Sequence, residues 1–204
     1  MHSKLHMLVS VGGISVTNQY LAGVTKESSE FTSDPIDGLM GMGLPALSQL
    51  KHVRPVKRLL NIVSQAPQDP FFSTAVMQGA VSDGTFAFKL ASSGSELFLG
   101  GTNTDLYTGS IEYHSLSSTV GYWIIGNGSV SVNGQTTASD IQTVIDTGST
   151  LVTAPTSAAD EFWQAVKGAK SFDQADGFYS FPCDSVPEAA FSWGGKTWTI
   201  SADK

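Results

Sequence analysis

The residue of this sequence with the clearest potential for chemistry is an aspartate, Asp146. Residues 143–152 read Thr-Val-Ile-Asp-Thr-Gly-Ser-Thr-Leu-Val, which predicts a buried apolar strand that delivers Asp146 into a turn, and a second strand that leaves it. A carboxylate at the end of a buried strand needs compensation, which the N–H groups of a glycine turn and nearby hydroxyls can supply. Such a carboxylate is held rigidly where water can reach it, so it is suited to proton transfer.

The glycine of this turn is the second informative residue. Gly148 lets the backbone turn tightly and lets a second chain approach closely. The alternative is purely structural, with Asp146 making an Asx turn between two strands. A bare Asp-Thr-Gly tripeptide favours that alternative, so the flanking residues must decide. A lone Asp146 in an open loop is expected to titrate near its ordinary pKa of about 3.9.

Short strands are the elements that must position this loop. Several segments alternate apolar and polar residues with period two between glycine-rich turns. Hairpins are predicted around Gly12-Gly13 and at Asn133-Gly134, which is a strong turn signal. Further strands are predicted at residues 84–90, 96–99, 124–126 and 196–200. Many short strands with few helices indicate an all-β barrel or sandwich.

Two helices are predicted to interrupt the strands. The first follows Pro55 and presents one apolar stripe, formed by Val56, Leu59, Leu60 and Val63. The second follows Pro155 and begins with a capping box over residues 157–160. Its buried face is formed by Phe162, Ala165 and Val166, and Gly168 ends it.

The composition excludes several classes of function. Of 204 residues, 41% are hydrophobic and 14% are charged, so a sizeable core can form. The net charge of −7 leaves no basic patch for nucleic acid or anionic lipid. No apolar run has the roughly 18 residues of a membrane span, and residues 1–11 lack the features of a signal peptide.

Covalent and metal chemistry find little support in the sequence. Cys183 is the only cysteine, so an internal disulfide and a multi-cysteine metal site are excluded. The four histidines have no metal-ligand spacing, and neither a metal nor another cofactor is predicted. Asn127-Gly128-Ser129 is a glycosylation sequon, a pattern that also occurs often by chance.

The residues that flank Asp146, together with segments along nearly the whole chain, resemble a known protein family. Apolar-Asp-Thr-Gly-Ser-Thr-apolar resembles the catalytic loop of pepsin-like aspartic endopeptidases. Further segments are similar to that family in the same order: Asp-Gly-Leu-Met-Gly-Met-Gly at 37–43, Leu-Phe-Leu-Gly-Gly at 97–101, Tyr-Thr-Gly-Ser at 107–110, Gly-Tyr-Trp at 121–123, Phe-Pro-Cys-Asp at 181–184 and Phe-Ser-Trp-Gly-Gly-Lys at 191–196.

The resemblance implies an all-β, two-lobed fold of the pepsin kind that is only partly present. Residues 1–101 resemble the second half of the N-terminal lobe with the strand that crosses between lobes, and residues 102–204 resemble the first part of the C-terminal lobe. The family uses two Asp-Thr-Gly loops, whereas this chain holds only the second. The first loop and the flap tyrosine are expected before residue 1, and the partner strand of the second loop is expected after Lys204. Cys183 resembles one half of the disulfide of the C-terminal lobe.

The resemblance also implies roles for residues of the site. Asp146 resembles one of the two catalytic carboxylates, and Thr147 resembles the residue that braces one Asp loop against the other. Gly148 belongs to the same substrate-facing turn. Ser149 and Thr150 resemble donors and acceptors to the substrate backbone. Tyr122 lies in a segment that the family places near the cleft.

The implied function is hydrolysis of peptide bonds in polypeptides at acidic pH, by a water that an Asp pair activates. A monomeric full-length protein, located outside the cell or in a vacuole, is implied by the same resemblance. The fragment alone is expected to be inactive. Two alternatives stay open at this point: a retropepsin-like homodimer in which each chain supplies one Asp loop, and a non-catalytic peptide-binding module of protease descent.

Overall fold

A computed structural model describes residues 3–29, 31–33, 35–55, 63–173 and 177–200. In these residues the chain is built mostly from short antiparallel strands with two short α-helices, which confirms the predicted all-β class. The chain divides into two compact units, Met1–Ser110 and Ile111–Lys204. This division falls after residue 110, whereas the sequence places the lobe boundary after residue 101. The assignment of each unit to a lobe stays a prediction.

The first unit is a series of antiparallel hairpins. Its described elements are β1 (Ser3–Val11), β2 (Ile14–Gly23), β3 (Lys51–Pro55), β4 (Val63–Pro67), α1 (Phe71–Met77), β5 (Phe86–Lys89) and β6 (Glu96–Leu99). The strands pair as β1–β2, β3–β4 and β5–β6. The predicted hairpin at Gly12-Gly13 is confirmed, and both glycines have positive φ, +56° and +83°. A two-residue turn of this kind requires that conformation, which glycine adopts without strain.

The core of the first unit lies between α1 and β2. Alternation along β2 turns Val16 inward, and it packs with Phe71 and Ala75 of α1, all at most 4% exposed. Complete burial of a Val or Phe side chain stabilises a fold by about 1.5–3 kcal/mol. At the end of α1, the Gln78 amide both accepts from and donates to the Thr17 backbone, at 3.0 and 2.8 Å. These bonds fix the end of the helix to the strand.

The helix predicted after Pro55 falls mostly outside the described residues, and the part that is described forms a strand. Val56, Leu59 and Leu60 lie outside the described residues, while Val63 begins β4 and pairs with Pro55 at the end of β3. Helical placement of Val63 is therefore wrong. A β-branched residue suits a ladder at least as well as a helix, and periodicity over eight residues does not decide between them.

The second unit is organised around a four-stranded antiparallel sheet. Its described elements are β7 (Ile124–Val132), β8 (Gln135–Val144), α2 (Thr156–Gln164), β9 (Lys170–Asp173), β10 (Phe178–Ser180), β11 (Ala189–Ser192) and β12 (Thr197–Ile200). The strand order is β12-β11-β7-β8, and β9 pairs with β10. The predicted turn at Asn133-Gly134 is confirmed, with φ of +50° and +78°. Ile124-Ile125-Gly126 begins an ordinary strand, as predicted.

Helix α2 confirms the second predicted helix but corrects its start. Pro155 occupies the N-cap position and, in this described segment, no side chain caps the helix. The predicted capping box is wrong because Ser157 lies inside the first turn, two positions after the N-cap, where its side chain is not placed to bond the free amides. Val166 is 4% exposed and Phe162 is half-buried, so the predicted apolar face does pack inward.

Candidate active site

Strand β8 delivers Asp146 to the end of the sheet. The strand ends at Val144, and the Ile145 N–H then donates to the Trp123 carbonyl oxygen at 3.0 Å. Three residues before Asp146, the Thr143 hydroxyl accepts a hydrogen bond of 3.1 Å from the indole N–H of Trp193. The approach to Asp146 is therefore tied to the sheet by both backbone and side chain.

Two hydrogen bonds from its own turn hold the Asp146 carboxylate. The Gly148 N–H donates to Oδ1 at 2.9 Å, and the Ser149 hydroxyl donates to Oδ2 at 2.7 Å. The bond from residue i+2 is the signature of an Asx turn, so the structural alternative describes the local geometry correctly. It does not exclude a catalytic role, because the same bonds hold the carboxylate in one orientation.

These bonds change the acidity of Asp146. The Ser149 hydroxyl, and then the Gly148 amide, hold the pKa of Asp146 below its ordinary value, and they outweigh the opposing effect of burial. Donors to a carboxylate favour its ionised form. The expectation that a lone Asp146 titrates at its ordinary pKa is therefore wrong, because the turn itself supplies the missing partners.

Space, rather than backbone conformation, favours a glycine at position 148. A Cβ atom there would lie 3.2 Å from the Asp146 Oδ1 atom, which is tighter than an ordinary contact. The φ of Gly148 is not in the left-handed region. In this structure the group beside the missing side chain is the Asp146 carboxylate.

The surroundings of the loop are more open than predicted. Asp146, Thr147, Gly148, Ser149 and Thr150 are all exposed. The apolar residues on either side are exposed as well: Val144 (49%), Ile145 (47%), Leu151 (59%) and Val152 (77%). The segment around Val144 and Ile145, predicted to be buried, is therefore exposed, and it lies at the end of β8, which is an edge strand of the sheet in the described residues.

The strand predicted to leave the loop is also absent. Residues 145–155 are all described, and none of them lies in a strand. The same holds for Leu39-Met40-Gly41, where a strand of the N-terminal lobe was expected; Leu39 is 80% exposed in an irregular segment. A strand needs a neighbour to satisfy its backbone groups, and in the described residues neither segment has one.

Tyr122 lies at the same end of the β7–β8 ladder as Asp146. Ile124 pairs with Val144, and the bond between Ile145 and Trp123 continues that register. Tyr122 and Asp146 each lie one residue beyond this bond, Tyr122 just before the start of β7 and Asp146 just after the end of β8. The Tyr122 side chain is 49% exposed, so it is accessible beside the loop.

Sequence reasoning missed a second organised carboxylate, that of Glu112. Its Oε2 atom accepts from the Lys196 N–H at 3.0 Å and from the Trp198 indole N–H at 3.3 Å. Its Oε1 atom lies 2.8 Å from Nε2 of His114, and the two side chains are only 14% and 21% exposed. A Cβ atom at Gly195 would lie within 2.6 Å of this carboxylate carbon. Residues 111–114 are thereby fixed to the turn between β11 and β12.

The acidity of Glu112 reflects this setting. Burial is the largest single effect and raises the pKa, but the donors together outweigh it, so the net pKa lies below its ordinary value. The Lys196 amide contributes most among the donors, followed by the His114 charge. Gly194-Gly195 was the only sequence signal of this arrangement, and it does not identify the acidic partner.

The part of the chain that the structure describes was compared with two further kinds of site, metal-ligand clusters and membrane-spanning helices. In it, histidine, cysteine and acidic side chains do not gather in groups of three that could hold a metal ion. Each described helix is too short or too polar to span a bilayer. The organised polar groups of the site are those of the Asp146 loop itself.

Comparison with known proteins assigns the chain to a family. Residues 6–204 match the eukaryotic aspartyl proteases. The chain is 36% identical over 198 residues to an aspartic protease of Phaffia rhodozyma, covering 94% of this chain and 45% of that protein. It is 34% identical over 200 residues to endothiapepsin of Cryphonectria parasitica (96% and 44%) and 30% identical over 197 residues to aspergillopepsin-1 of Aspergillus oryzae (96% and 47%). The chain spans less than half the length of each relative, and it belongs to the eukaryotic aspartyl protease family, which confirms the pepsin-like resemblance.

Proposed function

We propose that this chain is part of an aspartic endopeptidase that hydrolyses peptide bonds in polypeptides at acidic pH, with Asp146 as one of its two catalytic carboxylates. The observation that carries the proposal is an exposed carboxylate, held by Gly148 and Ser149, in a member of this family. The second carboxylate is proposed to come from a part of the protein outside these 204 residues.

Two carboxylates at close range cannot both ionise, so they share one proton and titrate as a pair. The ionised group takes a proton from a water as it attacks the scissile carbonyl carbon, and the protonated group polarises the carbonyl oxygen. Asp146 brings to this pair a carboxyl group that its turn already biases toward the ionised form. Neither a cofactor nor a covalent intermediate enters the scheme.

The neighbours of Asp146 are proposed to orient the substrate and the second loop. Thr147 braces the partner loop, and Thr150 contacts the substrate backbone. The Ser149 hydroxyl donates its hydrogen bond to Asp146, but its oxygen can still accept a hydrogen bond from a substrate N–H. Gly148 keeps the turn free of a side chain beside the carboxylate. Tyr122 is proposed to line the same end of the cleft.

The remaining properties of the whole protein are proposed on the same basis. The net charge of −7 supports a polypeptide substrate over a nucleic acid or an anionic membrane. We expect a monomer that acts outside the cell or in a vacuole. Cys183 is exposed and free here, and its disulfide partner is expected in the remainder of the protein. The chain of residues 1–204 alone is proposed to be inactive.

The test compares the full-length protein with its Asp146→Asn variant. Cleavage of a denatured protein substrate is measured from about pH 2 to 6, with the substitution confirmed by mass. We expect loss of activity by roughly 10²–10⁴-fold or more, the contribution of a general acid or base. Turnover of the variant close to that of the parent would remove Asp146 from the mechanism.

The two alternatives give different results with the same proteins. A homodimer predicts pepstatin-sensitive activity from residues 1–204 alone that rises with the square of protein concentration when dimers are few. A non-catalytic module predicts that the full-length protein binds a pepstatin-type peptide without cleaving any substrate. Activity that is linear in full-length protein, and absent from residues 1–204, supports the proposal.

A further inference from the structure

The sequon Asn127-Gly128-Ser129 lies at an irregularity in strand β7. Ile125 pairs with Thr143 and Gly128 pairs with Ile141. Two residues of β7 therefore stand opposite one residue of β8, which makes a β-bulge. A bulge leaves the extra residue without its regular backbone pairing and changes the direction of the side chains. Both effects are expected in this part of β7.

The bulge turns Asn127 outward and Gly128 inward. Asn127 has a φ of +56°, a conformation that asparagine tolerates better than most residues, and it is exposed. Gly128 is buried, and a Cβ atom there would lie 2.9 Å from both Ile141 and Thr143. The close packing of Gly128 beneath β8 thus fixes the outward position of the preceding amide side chain.

Asn127 also borders a polar surface depression. The depression has a volume of about 600 Å³, and its lining includes Tyr113, His114, Asp140 and Gln142 beside Asn127. Tyr113 is 83% exposed and brings an aromatic ring to this lining, while the other side chains offer hydrogen-bonding groups. A hexose-like ring, with an apolar face and a rim of hydroxyl and amide groups, matches this mixture of surfaces.

We propose that Asn127 is an N-glycosylation site and that the first sugar of its glycan lies in this depression against Tyr113. The Asn127 amide nitrogen forms a bond to C1 of the reducing-end sugar of a lipid diphosphate-linked oligosaccharide. The bond from C1 to the diphosphate oxygen breaks, the lipid diphosphate leaves with the electron pair, and the amide gives up one proton. The proposal rests on the secretory route given under the proposed function, but it does not depend on catalysis.

The sequence offers a clean set of variants, because Asn127 is the only sequon in these 204 residues. The full-length protein is secreted from a eukaryotic host behind an appended leader, so that it meets the glycosylation machinery whatever its natural location. Asn127→Gln and Ser129→Ala should lose one endoglycosidase-sensitive mobility step. Ser129→Thr keeps the hydroxyl of the sequon and should retain the step. Glycopeptide mass spectrometry identifies the modified residue.

A gain-of-site control makes a negative result informative. Gln135→Asn in the Asn127→Gln background creates a sequon with Thr136 and Thr137 at an exposed position of β8. If this control is glycosylated while Asn127 stays unmodified in the parent protein, the proposal is wrong. Peptidase activity is assayed on the same samples, so failure of the glycosylation site and failure of the proposed enzyme are recorded separately.

The contact of the first sugar with Tyr113 is tested separately, by measuring how the Tm responds to removal of the glycan. Trimming the Asn127 glycan down to its first sugar should leave the Tm of the parent nearly unchanged. Complete removal of the glycan should lower the Tm. In Tyr113→Ala the Tm should no longer respond to complete removal, whereas occupancy of Asn127 should be the same. Equal responses of the parent and Tyr113→Ala would show that the sugar does not rest on Tyr113 and would overturn that part of the proposal.

Discussion

The second unit holds two organised carboxylates that are built in opposite ways. Both donors to Asp146 come from within three residues of it, and the residue is exposed. The donors to Glu112 at Lys196 and Trp198 stand 84 and 86 residues away, and the side chain is 14% exposed. In both cases the pKa lies below its ordinary value.

The difference indicates distinct roles for the two groups. A carboxylate held by its own turn keeps its orientation while one side stays open to water and substrate, which suits a reacting group. A carboxylate held by distant parts of the chain ties those parts together, which suits a structural group. The pKa shift alone does not distinguish them, because catalytic and structural carboxylates can both be perturbed.

The largest expected effect is seen when activity and thermal stability are both measured for a variant of each carboxylate in the full-length protein. Asp146→Asn should abolish peptidase activity and leave the Tm within about 2 °C of the parent, because its partners are local. Glu112→Gln should lower the Tm by roughly 2–8 °C, the size expected when one interaction network is lost, and keep the kcat of the folded enzyme. Thermal melts and initial rates on the same preparations measure both. The comparison fails if Asp146→Asn unfolds the protein or Glu112→Gln abolishes kcat.

The next effect concerns residues 1–204 on their own, which should be inactive and weakly stable. The buried apolar residues in the described part are few, namely Val16, Phe71, Phe72, Ala75, Val132, Val166 and Ala190. Single domains are stable by only about 5–15 kcal/mol, and the apolar residues on both sides of Asp146 remain exposed. A thermal melt and a cleavage assay at acidic pH, with Asp146→Asn as the control, test this. Robust activity above that control would contradict the partial-enzyme interpretation.

What the sequence predicted well was local. The turns at Gly12-Gly13 and Asn133-Gly134, and the turn that holds Asp146, depend on residues within a few positions of one another. Their geometry follows from the preference of glycine and asparagine for positive φ and from short hydrogen bonds. Family membership was predicted for the same reason, since its motifs are short and ordered along the chain.

What the sequence missed depends on distant partners. The Glu112 network joins residues more than eighty positions apart, and no local pattern signals it. The strands expected at Leu39 and Leu151 are absent from this structure because strand formation depends on a neighbour as well as on apolar residues. The pKa of Asp146 was misjudged because the Ser149 hydroxyl was assigned to substrate rather than to the carboxylate.

A smaller effect is the pH dependence that Glu112 contributes to stability. Its pKa is lowered on folding, so the unfolded chain binds its proton at higher pH than the folded chain does. The stabilisation is therefore present above the unfolded pKa, about 4.3, and is lost as the pH falls through the lower folded pKa. The Tm difference between the parent and Glu112→Gln should therefore shrink as the pH falls from about 5 toward 2.

Gly195→Ala is the matched control for this pH dependence. The new Cβ would displace the Glu112 carboxylate from its place, so the variant should lose the same acid-dependent part of stability while it keeps the charge. A Tm difference that grows on acidification in either variant would show that Glu112 does not stabilise the fold as an ionised group.

The smallest expected effect is that of Gly148→Ala in the full-length enzyme. The new Cβ would lie 3.2 Å from Asp146 Oδ1, a contact that a shift of a few tenths of an ångström relieves. That shift lengthens the bond from the residue 148 amide, so the pKa of Asp146 should rise and the acidic limb of the kcat/KM profile should move to higher pH. We expect kcat to fall by roughly tenfold or less, because the bond is weakened rather than lost, with an unchanged Tm. A Tm loss as large as that of Gly195→Ala, with an unmoved acidic limb, would mean that the Asp146 turn is structural and that the two carboxylates are not as different as their partners suggest.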